Sequence, residues 1–232
     1  RFVLLLLASD LPIYWALLRS GKFGAERDVF QVRDITSLPV PPFESLTALQ
    51  RQELDVIASA LLADEADWER LHHFVYGLYG IGSSAAQAID DTLAVASPFG
   101  PNRRRAERAP DETERRAFQQ ALEVELNGTL ARVGCAVVVA DVPGLPATPW
   151  QIVQVRQRGA GAPAVEANAD LLRDVVKVAD EEGSTRIVLP DEKRCLVTVA
   201  MLAQFRYWTR TRARMLAHDL LREHEGALTG QR

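Results

Sequence analysis

The pattern of apolar and polar positions predicts helices through most of the first hundred residues. Residues 2–20 are apolar on all sides of a helical projection, which is typical of a buried helix. Asp10 and Pro12 indicate that this helix stops and restarts, because Asp caps helices and Pro suits a first turn. Helical spacing of apolar residues predicts three further helices, over 45–62, from Asp64 or Asp67 to 79, and from Ser83 or Ser84 to 96.

The second half has a different pattern, in which short apolar runs alternate with helical segments. We predict strands over 134–142, 150–158, 185–189 and 194–199. Helices are predicted over 111–126, 168–182 and 201–223. The predicted fold class is therefore α+β, with a mostly helical N-terminal half and a small α+β C-terminal domain that ends in a long amphipathic helix.

The last predicted helix, 201–223, has one apolar and one basic face. The apolar face holds Leu202, Phe205, Trp208, Met215, Leu216 and Leu220, with Arg212 among them. The basic face repeats every four residues through Arg206, Arg210, Arg214, His218 and Arg222, with no acid among them. Such a stripe suits a phosphate backbone or an acidic partner protein, and Tyr207 or Trp208 would add a stacking surface if exposed. The alternative is a solvated helix face.

A boundary between domains is predicted where Pro, Gly and Arg concentrate. Pro98 and Pro101 flank Gly100, and the arginine run 103–105 follows. We divide the chain into residues 1–99, a linker over 100–110 and a module over 111–232. Arg103, Arg104 and Arg105, with Arg108, have the charge to neutralise phosphates, and the alternative is a solvated linker.

Charge restricts where a nucleic acid would bind. The chain of 232 residues has a formal net charge of −4, so it is not a cationic coat protein. Residues 1–99 hold 7 Lys and Arg against 13 Asp and Glu, which leaves 20 against 18 in the remainder. Any contact with DNA must therefore come from a local cluster of positive charge.

Cysteine usage and hydropathy bear on the compartment. Cys135 and Cys195 stand alone in apolar runs, which is typical of small buried residues in a reducing cytosol. The apolar run 2–7 is too short to span a bilayer. We expect a cytoplasmic protein without membrane contact. The sequence begins at Arg1, without Met, inside a predicted packed helix, so we also expect a fragment or a processed piece.

Three motifs in order distinguish residues 1–99. The first, over 20–43, is a turn of small residues, a short β-prone run at 29–32, an Asp-Ile pair and a stiff proline strap. The second is the apolar segment 74–81, which ends in Tyr-Gly-Ile, and the third is the short helix 89–93. The first motif is carried by Ser20, Gly21, Gly24, Phe30, Asp34, Ile35, Leu38, Pro39 and Pro41.

This order resembles the C-terminal edge of the target-recognition region in adenine-specific DNA methyltransferases and specificity subunits of restriction-modification and phage-defence systems. The resemblance implies that residues 1–99 end such a region and that Lys22, Arg27 and Arg33 contact DNA. It implies double-stranded DNA, a methyltransferase catalytic domain or subunit, and other subunits of the defence system as partners.

The chemistry of methyl transfer itself is missing from these residues. The family uses an Asn/Asp-Pro-Pro-Tyr/Phe motif and a Gly-rich loop for S-adenosylmethionine. Here Val40 precedes Pro41 and Pro42, where the motif needs a hydrogen-bonding Asn or Asp. We therefore expect a non-catalytic recognition or accessory part, with S-adenosylmethionine bound in the catalytic partner region.

Two other functional classes fit the sequence. One is an adaptor whose arginine-faced helix docks on an acidic protein without touching DNA. The other is a magnesium nuclease that uses Asp191 and Glu192 beside Lys193, with Asp170 or Asp180 as a further carboxylate. A hairpin turn begun at Pro190 explains the same triplet without catalysis.

Overall fold

A computed structural model describes residues 1–19, 31–96, 100–142, 148–159 and 169–230, without the side chains of residues 34, 100 and 101. The chain has an α+β fold and divides into two compact units, Arg1–Ala106 and Glu107–Arg232. The division falls inside the stretch 100–110 that the sequence marks as a boundary.

The first unit is helical in all its described regular structure. The apolar segment at its start forms α1 (Phe2–Ala8) and α2 (Leu11–Arg19), and Pro12 lies in the first turn of α2 as predicted. The next helices are α3 (Val32–Thr36), α4 (Ala48–Leu62), α5 (Trp68–Leu78), α6 (Ser83–Val95) and α7 (Gly100–Glu107), with a 3₁₀ turn at Phe43–Ser45.

Polar side chains fix where these helices begin. Thr47 caps α4 in a reciprocal capping box with Gln50, and Asp67 caps α5 by accepting from the backbone N–H of Arg70. The core beneath them includes Leu5, Leu71 and Val75, each fully buried. Caps and apolar spacing together therefore account for the helices that the sequence predicts here.

In the first motif, the β-prone run at 29–32 differs from its prediction, whereas the proline strap agrees with it. Residues 29 and 30 of the expected strand lie outside the described residues, and Val32 begins helix α3 instead of ending a strand. The proline-rich part is non-helical as predicted, with Pro42 extended at φ −61° and ψ 129°. Leu38 anchors it to the core at 7% exposure.

The second unit is a three-layer arrangement around one antiparallel sheet. Its elements are α8 (Glu112–Leu130), β1 (Val137–Asp141), β2 (Trp150–Gln157), α9 (Ala169–Glu182), β3 (Arg186–Asp191), β4 (Leu196–Leu202) and α10 (Arg210–Thr229). The strand order is β1-β2-β4-β3, and neighbouring strands are antiparallel throughout.

Side-chain alternation along the strands divides the apolar residues between the two faces of the sheet. Val153 and Val155 of β2 pack with α8 and α10, whereas Ile152 packs with Val175 of α9. The larger core lies on the α8 and α10 side, where the indole of Trp208 is 1% exposed. Helices on both faces explain why β1 and β4 have nearly continuous apolar sequences.

Side chains satisfy backbone groups at both edges of the sheet. At β1, Asn127 bonds both the N–H and the C=O of Val137, at 2.7 and 3.1 Å, and Glu123 accepts from the N–H of Val139 at 3.0 Å. At β3, the hydroxyl of Ser184 bonds both backbone groups of Arg186, and Pro190 has no N–H. Both outer strands are therefore poor templates for another strand.

The last helix begins nine residues later than the sequence indicates. Met201 and Leu202 belong to β4, since Leu202 pairs with Trp150 of β2. A 3₁₀ turn at Phe205–Tyr207 follows, and Thr209 caps α10. Two residues of the predicted amphipathic surface, Phe205 and Trp208, are buried before the helix begins.

Both cysteines lie near the C-terminal end of α10. Cys135 packs partly buried against the core, and Cys195 is half-buried in the β3–β4 turn at φ 49°. A Cβ at Gly230, which caps α10 at φ 67°, would lie 2.9 Å from the sulfur of Cys195. This close approach and the left-handed backbone both require glycine there.

We predict that Trp208→Ala destabilises the second unit by about 3–5 kcal/mol, because it removes a large buried ring and leaves a cavity. The ring contacts Phe118 at a centroid distance of 4.9 Å, and its Nε1–H donates to the carbonyl of Leu202 at 2.9 Å. Urea unfolding followed by far-UV circular dichroism measures the change.

The matched control is Met215→Ala, also a truncation of a large apolar side chain near the start of α10. Met215 is 51% exposed, so its loss should change stability by less than about 0.5 kcal/mol. Equal effects of the two substitutions would contradict the assigned core.

Candidate nucleic-acid interface

The predicted DNA contacts of the first unit are described only in part. Lys22 and Arg27 lie outside the described residues. Arg33 lies on α3 and is exposed. The resemblance-based contact at Arg33 therefore has the solvent access that it requires.

The arginine run 103–105 lies on a helix, where the sequence predicts a linker. Pro101 fits the first turn of α7, and the residues after it favour helix. Asn102 donates to the carbonyl of Leu93 at 2.8 Å, and Ala106, four residues later, is 4% exposed. These two positions fix one side of α7, which leaves Arg103, Arg104 and Arg105 exposed.

Arg108 follows the arginine run 103–105 closely in the sequence, but its role in the structure is to connect two segments of the second unit. Its guanidinium binds both carboxylate oxygens of Glu114, at 2.7 and 2.5 Å, and lies 5.2 Å from the ring centre of Phe205. Its carbonyl accepts from the N–H of Phe205 at 2.8 Å. Arg108 thus joins the start of α8 to the connection before α10, and this pairing raises its pKa.

Glu114 is the acidic centre of this junction. It completes the capping box of α8 with Asp111 while it holds Arg108. Burial opposes ionisation of this carboxyl, but the hydrogen bonds from Arg108 and from the N–H of Asp111 outweigh it and lower the pKa of Glu114.

We predict that Glu114→Gln lowers stability at pH 7 by about 1 kcal/mol, since the charge of a partly exposed pair is lost. A lowered folded-state pKa means that Glu114 stabilises the fold above its unfolded pKa, and this contribution fades as pH falls through the folded value. The difference between wild type and variant should therefore shrink between pH 7 and pH 3 in urea titrations.

Glu112→Gln is the matched control, because Glu112 lies in the same helical turn and pairs with Arg116 at the exposed surface. Its effect should be a few tenths of a kcal/mol. A Glu114→Gln difference that stays constant from pH 7 to pH 3 would contradict the linkage.

The structure changes the membership of the basic face on the last helix. The buried side of α10 is formed by Ala213, Leu216, Ala217 and Leu220. Arg206 precedes the helix, so it does not belong to the stripe. Arg212, which the sequence places in the apolar arc, is exposed together with Arg210, and Arg214 is half-buried. We call Arg210, Arg212 and Arg214 the basic surface of α10.

A projection that begins at Met201 includes Phe205 and Trp208, which precede the helix, and these two residues widen the apolar arc until it covers Arg212. The signal that identifies it is Thr209, whose side chain accepts from the N–H of Arg212 at 3.3 Å and sets the true first turn. Ser, Thr, Asp and Asn are preferred at this position, so the cap was available in the sequence.

Arg206, Arg222 and His218 of the predicted stripe lie near acids of the same chain. Arg206 lies 3.8 Å from Glu107, and its guanidinium is 5.8 Å from the ring centre of Tyr207. Arg222 pairs with Asp219 and Glu223, at 3.3 and 2.6 Å. His218 lies 3.7 Å from Glu125 of α8. These three members of the predicted stripe therefore have acidic partners that lie outside the stripe.

The conditional prediction of base stacking is also corrected. Trp208 is buried against Phe118, so its faces are not available to a ligand. Tyr207 is half-buried and lies beside the guanidinium of Arg206. The buried indole holds the connection before α10 in place instead of offering a surface.

The residues of the nuclease alternative, Asp191, Glu192 and Lys193, lie at a turn between two strands and not in a metal site. Asp191 ends β3, and residues 192–195 form the turn to β4, so the hairpin interpretation is confirmed. Asp191 accepts from the N–H of Arg194 at 3.2 Å, and Asp170 pairs with Arg173 at 3.0 Å. Among the described residues, no group of three or more His, Cys, Asp or Glu side chains is arranged to hold a metal ion.

A second group of titratable side chains lies in the first unit. The N–H of Asp10 donates to Nδ1 of His72 at 3.2 Å, and the hydroxyl of Tyr76 donates to Asp90 at 3.4 Å. Burial, and then the charges of Asp90 and Asp10, raise the pKa of Tyr76. Loss of hydration, and then Asp10, raises the pKa of Asp90. These contacts join α2, α5 and α6, and we assign them to packing.

In the described part of the chain, no single helix is long and apolar enough to cross a bilayer, although α1 and α2 meet the length and composition criteria as a pair bent by 62°.

Comparison with known proteins found no matching family model, no similar curated protein and no similar solved structure. The candidate interface is therefore defined by its residues and their geometry.

Proposed function

We propose that this chain is a non-catalytic DNA-recognition or accessory part of an adenine-specific DNA methyltransferase in a restriction-modification or phage-defence system. Its ligand is double-stranded DNA. Its partners are the catalytic domain or subunit, which binds S-adenosylmethionine, and other subunits of the system. We place this complex in the cytoplasm, in keeping with the free thiols of Cys135 and Cys195.

The observation that carries the proposal is the basic surface of α10. Three arginines lie within five residues, and residues 195–218 contain no Asp or Glu. Arg210 and Arg212 are exposed at the start of a helix whose buried side is fully packed. Guanidinium groups bind phosphate oxygens in a planar, bidentate geometry, which makes Arg the residue of choice for nucleic-acid backbones.

The first unit adds exposed arginines on two of its helices. Arg33 lies on α3, and Arg103, Arg104 and Arg105 follow one another on α7. Together with the three motifs over residues 20–93, these positions support the resemblance to a target-recognition region. The absence of the methyltransferase motif from this sequence supports a non-catalytic part.

The second candidate function is an adaptor that docks on an acidic protein. Its support is that neighbouring arginines already bind carboxylates: Arg206 pairs with Glu107, and Arg222 pairs with Asp219 and Glu223. The same guanidinium chemistry recognises carboxylates of a partner protein. Direct binding measurements are therefore needed to distinguish DNA from an acidic protein as the ligand.

The test is fluorescence anisotropy of a labelled 20-base-pair duplex with the full chain at several salt concentrations. Wild type should bind with an affinity that falls steeply as salt rises. Arg210→Glu, Arg212→Glu and Arg214→Glu combined should abolish most of this binding. Loss of three phosphate contacts should lower the slope of log K against log salt by about 2.7.

The matched control reverses the same number of charges at exposed positions away from α10, at Arg132, Arg173 and Lys177. It should leave most of the affinity in place, and circular dichroism should show both variants folded. Equal loss in both triple variants would assign binding to net charge. A wild-type chain that binds no duplex at low salt would refute DNA as the ligand and favour the adaptor.

A further inference from the structure

The sheet face that carries α9 changes from apolar to polar along strand β2. Ile152 packs beneath α9 with Val175. Two residues further along the strand, Gln154 pairs with Thr198 of β4, and these polar residues are 2% and 5% exposed. Arg156 comes next on the same face, about 13 Å beyond Ile152, because alternate residues of a strand share a face. The apolar contact with α9 and this arginine therefore lie toward opposite ends of the face.

Arg156 is half-buried, and its positive charge is unpaired. In the described part of the chain, its guanidinium forms no ion pair and no hydrogen bond. Nε is shut off from solvent, whereas the two terminal nitrogens are open to it, since Nε alone of the three is buried without a bond. The packed Nε limits the movement of the charged end, so a positive charge is held in place where the side chain meets solvent.

Two other arginines of this unit show what usually accompanies such burial. Arg115 and Arg206 also have a buried Nε without a hydrogen bond. Nε of Arg115 lies 3.5 Å from a carboxylate oxygen of Asp141, and the guanidinium of Arg206 lies 3.8 Å from Glu107. Partial burial of a charge costs free energy, and a carboxylate offsets that cost in both cases. Arg156 differs from them in having no such carboxylate.

One acid shares the cross-strand row of Arg156, but it binds another arginine. Leu196 of β4 pairs with Arg156 on one side and with Asp191 on the other, so Asp191 lies two strands, or about 10 Å, from Arg156. Asp191 accepts from the N–H of Arg194 at 3.2 Å, and its carboxylate lies 3.7 Å from Nε of the same residue. The charge of Arg156 is therefore not balanced by this acid.

We propose that Arg156 is the centre of a binding site for a small oxyanion, the phosphate or carboxylate group of a ligand. The two terminal nitrogens of a guanidinium donate to two oxygens of such a group in one plane. Only the end of this side chain reaches solvent, which suits a small anion. The site goes beyond the proposed function and is separate from α10, because Val153 and Val155 pack with α8 and α10 on the opposite face of the sheet.

The experiment measures the thermal midpoint of the full chain at pH 7 by circular dichroism, in sodium phosphate and in sodium chloride of equal ionic strength. An anion that binds only the folded chain raises this midpoint. Phosphate also stabilises proteins in general by its exclusion from their surface, and Arg156→Gln retains that general effect. The shift from chloride to phosphate should therefore be larger in wild type than in Arg156→Gln, by about 3 °C.

The matched control is Arg132→Gln, which removes an exposed arginine of the same unit and should keep the full wild-type shift. Arg156→Lys retains the charge without the planar pair of donors, so it should keep a smaller shift than wild type. Sodium acetate in place of phosphate distinguishes the two ligand groups: the anion that gives the larger difference between wild type and Arg156→Gln identifies the group that the site prefers.

Equal shifts in wild type and Arg156→Gln, with both anions, would overturn this inference while the proposed function stands. Loss of duplex binding in Arg156→Gln would also overturn it, because Arg156 would then belong to the surface that binds DNA. A wild-type chain that binds no duplex but shows the phosphate shift would refute the proposed function and leave the oxyanion site in place.

Discussion

Burial of Trp208 is the interaction on which the arrangement of the second unit depends. Its ring fills the space between Phe118 of α8 and the sheet, and its Nε1–H bonds the last residue of β4, Leu202. That contact ends the strand and brings the chain to Thr209, where α10 begins. The direction in which each arginine of α10 points therefore depends on a buried apolar residue that precedes the helix.

Much of the fold could be predicted from local signals. Caps at Thr47 and Asp67, Pro12 in a first turn and the spacing of buried residues predict helices that the structure contains. The errors lie where distant contacts compete with periodicity. Pairing of Leu202 with Trp150 keeps 201–202 in a strand, although the residues also suit a helix. An amphipathic pattern alone cannot detect a partner fifty residues away.

The candidate site was less predictable than the fold, because the use of an arginine depends on its neighbours in space. Arg108 and the exposed run 103–105 are close in sequence, yet Arg108 is bound to Glu114. Arg212 falls among apolar residues only if the helix is extended back over Phe205 and Trp208, and in the structure it is exposed. With a chain of net charge −4, the position of each arginine matters more than their number.

Side chains bond backbone groups on both edge strands of the four-stranded sheet, and this affects how copies of the chain can pair with one another. Asn127 bonds both backbone groups of Val137 in β1, and Glu123 accepts from the N–H of Val139. In β3, Ser184 bonds both backbone groups of Arg186, and Pro190 has no N–H to offer. Strand exchange and stacking of sheets into fibrils both begin by pairing at such edges. The covered parts of β1 and β3 are therefore poor starting points for strand exchange between copies of the protein.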